Sequence, residues 1–176
     1  MSQKAERTKA RREAQALLDR YGIQSIPIPV ERIAKSLGIR VEYAPLDDEL
    51  SGLAHIRDDL PIIGINALHA PNRQRFTLAH ELAHIRLHRR ELEGAVHVDR
   101  GSLRRDALAA DGVDPIEIEA NAFAAELLMP THLLISALER HPVDLEDDDA
   151  VAALAKRFRV SDAAMRYRLN SLGESE

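Results

Sequence analysis

From Arg73 to His88 the apolar residues Leu78, Leu82 and Ile85 fall three and four positions apart, the rhythm of a helix with one buried stripe. The same rhythm predicts a first helix from about Ala5 to Tyr21, stopped at Gly22. Ile26-Pro27-Ile28-Pro29 reads as extended, and Pro29 suits the first turn of a short helix, Val30 to Leu37, ended by Gly38. Three strands are then expected: Ile39 to Tyr43, Gly52 to Arg57 and Ile62 to Asn66, with Asp58-Asp59-Leu60-Pro61 turning the last two into an antiparallel hairpin. Pro71-Asn72 carry start signals for a helix over 72–89, and a second strongly apolar helix runs over 115–129 before Pro130. Between Glu91 and Asp114 the pattern weakens, broken by Gly94, Gly101 and Gly112. That stretch reads as loop with a short helix near Leu103 to Ala110, either a lid or a plain connection.

Beyond Pro130 a helix is predicted over Thr131 to Arg140. Asp144-Leu145-Glu146-Asp147-Asp148-Asp149 then places five acids in six positions, which marks a solvated link or charge that complements a helix start. Val151 to Arg159, a turn at Val160-Ser161, and Asp162 to Leu172 outline a helix-turn-helix whose second helix carries Arg166 and Arg168. Arg157, Arg159, Arg166 and Arg168 are the residues that would meet phosphates, but the neighbouring acidic run repels DNA, so packing on the rest of the chain is the favoured role. The predicted fold is α+β: mostly helical, with a small three-stranded antiparallel sheet packed beside the 72–89 helix and a C-terminal helical unit. Two units are expected, 1–142 and a tail, 143–176, packed on it.

The chemistry lies on the 72–89 helix. His80-Glu81-Leu82-Ala83-His84 puts two imidazoles four apart, on one face and one turn from each other, so both can reach a single ion. Glu81 can then serve as general base, in the arrangement by which a metal lowers the pKa of water to about 7 and a carboxylate takes the proton. A third ligand is offered by Glu117-Ile118-Glu119-Ala120-Asn121 on the second helix. Small residues there (Ala120, Ala124), and Ala79 and Ala83 on the first helix, permit close approach. Glu117 is the favoured ligand and Glu119 the weaker one, with Asn121 suited to orient a ligand histidine. The competing reading makes Asp114-Pro115-Ile116-Glu117 a capping box in which Glu117 folds back onto the helix start. A third histidine six beyond His84 is absent, since Arg90 stands there, and His88 lies about 12 Å along the axis from His80, too far to share one ion. His88 is assigned to packing or a hydrogen bond near the site. His97, Arg100 and Tyr43 are candidates for stabilising a transition-state oxyanion. The strand Ser51 to Arg57 is a candidate for pairing with an extended peptide.

The helix Arg75 to His88 with its HExxH, followed by Glu117 to Pro130 in the pattern E-x-x-A-N-x-F-A-x-x-L-L-M-P, resembles the ImmA/IrrE family of small bacterial metallopeptidases, a gluzincin-like class. The resemblance extends over Val30 to Asn66 and Val160 to Met165. It implies His80, His84 and Glu117 as metal ligands and Glu81 as base. It also implies site-specific cleavage of a cytoplasmic helix-turn-helix transcriptional repressor that relieves repression, while the His-His-Glu donor set itself points to zinc.

Composition narrows the alternatives. The absence of cysteine among 176 residues removes thiol chemistry and restricts a metal site to nitrogen and oxygen donors, which also accept manganese or iron. A net charge of −5 argues against a chain that coats nucleic acid, leaving a non-proteolytic regulator that sequesters a repressor or binds DNA as the alternative. Lys4, Arg7, Lys9, Arg11 and Arg12 precede no apolar run, and no segment approaches a membrane span; a cytoplasmic protein is expected.

Overall fold

A computed structural model describes residues 3–100 and 114–173. Helix α1 (Gln3–Arg20) buries Ala10, Ala14, Leu17 and Leu18, one face of a 3.6-residue period, and ends where Gly22 takes φ +61°. Helix α2 (Val30–Ser36) leads into β1 (Arg40–Ala44), followed by β2 (Gly52–Arg57), β3 (Leu60–Asn66), α3 (Pro71–Leu87), the one-turn α4 (Arg89–Leu92) and β4 (Val96–Asp99). Helices α5 (Pro115–Leu128), α6 (Thr131–Arg140), α7 (Asp148–Phe158) and α8 (Asp162–Gly173) complete the described chain. Helix α3 lies against β2 and β3 on one side and α5 on the other, and α1 covers α5. Ala54, Ile63 and Ile65 of the sheet, Leu78 and Leu82 of α3, and Phe123 and Leu127 of α5 form one continuous core.

The sheet has four strands in the order β1-β3-β2-β4 and is mixed, which corrects the three-stranded antiparallel expectation in two ways. First, β1 pairs with β3 in parallel, Val41 opposite Ile63. The cause is the loop 45–51, which carries the chain past the place that β3 later fills. Buried Asn66 fixes that loop, donating to the carbonyls of Leu46, Asp47 and Leu50. Second, Val96–Asp99 falls where a loop was expected and pairs antiparallel with β2, His97 opposite Ala54 and Asp99 opposite Gly52. Four residues are too few for alternation to stand out. The hairpin is also tighter than expected: Arg57 pairs with Leu60, and Asp58 and Asp59, both at positive φ, make a two-residue turn. The predicted helix over Leu103 to Ala110 lies outside the described residues.

Among the four arginines considered for phosphate contact, Arg168 is buried. It donates from Nε to the Met129 carbonyl and from Nη2 to Glu126 and Thr131 Oγ1, so it holds α8 onto the end of α5. Arg166 pairs with Asp148 and the Leu145 carbonyl. The acidic run thus has structural partners: Asp147 caps α7 by accepting from Ala150 N, and Asp148 meets Arg166. The turn before α8 is bonded to α3, Asn72 and Arg75 donating to the Val160 and Arg159 carbonyls.

Candidate metal centre

His80, Glu81 and His84 are all buried on the stretch of α3 that passes under the sheet and against α5. Their approach to β2 depends on Gly52: a Cβ there would lie 2.5 Å from the Thr77 methyl and 2.8 Å from the Gly64 carbonyl oxygen. On α5, Asp114 is the N-cap and accepts from Ile116 N at 3.0 Å. Asp114 thus caps the helix as the capping-box reading expects, but Glu117 does not fold back onto the helix start. Instead its carboxylate reaches across, Oε2 3.2 Å from His80 Nε2 and Oε1 3.5 Å from His84 Nε2. The two Nε2 atoms are 3.1 Å apart, and one donor atom from each of His80, His84 and Glu117 fits within 4.8 Å of the others.

Strand β4 adds two residues to this cluster. Residues directly opposite in an antiparallel pair share a face of the sheet; Ala54 and Gly52 face α3, and so do their partners His97 and Asp99. His97 donates from Nδ1 to Glu81 Oε2 at 3.2 Å and from Nε2 to Glu117 Oε1 at 2.9 Å, its ring stacked 3.7 Å from that of His84. Asp99 comes within 4.8 Å of donor atoms of His80 and Glu81. Asp99 escaped the reading of the sequence, although Val96-His97-Val98-Asp99 alternates and so sends positions 97 and 99 the same way. Tyr43 bonds to Glu31 and is not in the cluster, and Arg100 is exposed. Behind His84, His88 Nδ1 lies 3.2 Å from His84 Nδ1, and His88 Nε2 lies 3.0 Å from Glu119 Oε2. Glu119 thus serves His88, and Asn121 makes no side-chain hydrogen bond among the described residues.

Burial and charge set the protonation of the group. Burial opposes a charge on His97, but its bonds to Glu117 and Glu81 prevail and push its pKa up to about 10. Glu117 is likewise resisted by burial yet held far below the usual carboxylate range by His80 and His97. Burial raises Glu81, against the pull of His97 and His80. His84 is pushed down to about 2 by burial and by neighbouring His80, so it is a neutral imidazole. Two nitrogens and one carboxylate oxygen converging from two helices could supply the donor set of an open three-ligand site. Two buried atoms of this cluster, Glu81 Oε1 and His80 Nδ1, have no hydrogen-bond partner among the described residues. The residues fit a divalent metal.

Residues 34–170 match the sequence profile of the IrrE N-terminal-like domain, a peptidase family. The chain belongs to that family. Over 110 residues it is 37% identical to the radiation response metalloprotease IrrE of Deinococcus radiodurans, covering 61% of this chain and 30% of that protein. It therefore spans about a third of the length of that relative. A Mycobacterium tuberculosis transcriptional regulator shares the fold, with a TM-score of 0.59 at 19% identity over 90% of this chain and 45% of that one. Among the described residues, no single helix is long and apolar enough to cross a membrane.

Proposed function

We propose that the chain is a zinc-dependent endopeptidase that makes one site-specific cut in a helix-turn-helix transcriptional repressor in the cytoplasm. His80, His84 and Glu117 would hold the zinc. The observation that carries the reading is Glu81: a fully buried carboxylate with one oxygen unpartnered, on the same turn as two imidazoles that meet a carboxylate from a second helix. Zinc in such a site acts as a Lewis acid and brings water into the range where it loses a proton near neutral pH. Glu81 Oε1 is the atom that would accept a proton from water there, and burial raises the affinity of the carboxyl for it. His97 holds Oε2 and so fixes the orientation of the base. Family membership and the relative named as a metalloprotease support the peptidase class. The choice of a repressor rests on the resemblance to ImmA/IrrE proteins. Residues 1–142 are taken as the peptidase unit and 143–176 as a tail held on it.

The strand for pairing with a substrate changes. Ser51 to Arg57 lies inside the sheet, β2 being bonded to β3 on one side and β4 on the other, and cannot accept another strand. Strand β4 stands at the edge of the sheet order beside His97 and Asp99, and an extended peptide would add there. The test is intact-mass spectrometry of the nearest encoded repressor, incubated with the zinc-loaded wild type and with Glu81→Gln. A single new cut by wild type only is expected. Cleavage by the variant would remove Glu81 as base, and a repressor that is bound but never cut would favour a sequestering regulator.

A further inference from the structure

Two polar residues next to the centre have no part in the reading above: His88, buried at the end of α3, and Glu119, half-buried on α5. They lie in series behind one ligand histidine. His84 Nδ1 faces His88 Nδ1 at 3.2 Å, and His88 Nε2 faces Glu119 Oε2 at 3.0 Å. A neutral imidazole has one N–H and one bare nitrogen, so each contact dictates the next. If Nε2 of His84 is to offer its lone pair to an ion, the proton must sit on Nδ1. That N–H points at His88 Nδ1, which must then be bare. The His88 proton is left on Nε2, where it meets a carboxylate that only accepts.

We infer that His88 and Glu119 are positioning residues, a two-step relay that fixes the proton of His84 on Nδ1 and so presents Nε2 to the metal. This rests on the metal-site reading above. Ligand histidines generally lean on a carboxylate or carbonyl directly. Here helix spacing sets an extra imidazole between them, because residue 88 is one turn beyond 84 and it is His88 that meets Glu119. The partner ligand differs: His80 Nδ1 is buried with no partner among the described residues. Orientation by a distant carboxylate is therefore concentrated on His84, and its loss should be felt in affinity. His88→Phe keeps bulk and removes the acceptor, leaving a buried N–H unpaired.

The experiment measures zinc affinity by competition with a chromophoric chelator for wild type, His88→Phe, His88→Gln, Glu119→Ala and the double variant His88→Phe/Glu119→Ala. Circular dichroism and thermal melting of each protein without zinc report the fold. His88→Phe should weaken zinc about 10- to 100-fold, and Glu119→Ala should weaken it less. His88→Gln, whose amide oxygen can accept from His84, should recover part of the loss. The double variant should match His88→Phe alone, since links in series are not additive. Long-range ¹H–¹⁵N spectra of the zinc-loaded wild type should show His84 protonated at Nδ1 and His88 at Nε2. Unchanged affinity in folded His88→Phe, or a His88 proton on Nδ1, would overturn the relay. Should His88→Phe fail to fold, Glu119→Ala and the wild-type tautomers decide alone. Failure of wild type to bind zinc would instead sink the metal-site reading itself.

Discussion

Replacing Gly52 by alanine should damage the site while touching none of its donors. The added Cβ would stand 2.5 Å from Thr77 Cγ2 and 2.8 Å from the Gly64 carbonyl oxygen, with Glu81 Cγ at an ordinary 3.6 Å. Neither close neighbour can yield cheaply: Thr77 is buried, and the carbonyl belongs to the backbone of β3. Reaching normal contact with the methyl requires a retreat of roughly an ångström, shared between α3 and the sheet. Overpacking of this kind costs about 1–3 kcal/mol. At ~2–4 °C per kcal/mol for a domain of this size, the melting temperature should fall by roughly 2–12 °C. The protein stays folded at assay temperature, yet a displacement of that size between α3 and its neighbours can lower the cleavage rate by about 100-fold. Gly64→Ala is the control, because the nearest atoms to its Cβ would be those of the half-exposed Leu53 side chain, at 3.1 Å and beyond. Differential scanning fluorimetry and single-turnover cleavage read the two effects. Equal melting temperatures for Gly52→Ala and wild type would refute the claim that this glycine sets the approach of β2 to α3. Loss of activity in Gly64→Ala to the same degree would refute its specificity.

Two further outcomes follow from the same geometry. Glu117→Ala would leave two nitrogen donors and should lose zinc on dialysis, whereas Glu119→Ala, which removes the carboxylate bonded to His88, should retain it at reduced affinity; elemental analysis giving the reverse order would make Glu119 the ligand. Arg168→Met strands the buried Glu126 carboxylate and should cost about 3–5 kcal/mol, while Arg166→Ala breaks a solvent-facing pair and should cost at most about 1 kcal/mol. Urea denaturation measures both, and equal effects would contradict the burial of Arg168.

What was legible in the sequence was what lies within one helix. His80, Glu81 and His84 are ordered by a single period, and their convergence follows from α-helical geometry whatever surrounds it. The two apolar helices that carry the donors, the β2–β3 hairpin and the small residues that let α3 and α5 meet were accessible for the same reason, since each is a local pattern. The sheet order was not, because nothing near Arg40 announces that a strand twenty residues later will slide in beside it. The capping motif at Asp114 shows the limit of local reading. Both assignments of Glu117 satisfy the sequence, and only the presence of two imidazoles across the interface decides that the carboxylate reaches outward.

The residues of β4 show why site prediction from one chain falls short where strands contribute. A lone histidine in a weakly patterned stretch gives no sign of its use, since its value comes from which strand it pairs with. Register alone turns His97 into a bridge between Glu81 and Glu117: opposite Ala54, it must face α3, and one residue of slip would turn it to the outer face with Val96 and Val98, both exposed. The short strand therefore does two jobs that oppose one another. Its inward residues must be held in fixed register to orient Glu81, while on the proposed function its outer edge would receive an extended peptide. Pairing with β2 satisfies both, because all the ladder bonds that set the register lie on the side away from that edge. A proline placed at Val98 would separate the two roles, for it removes one backbone donor without altering His97 or Asp99.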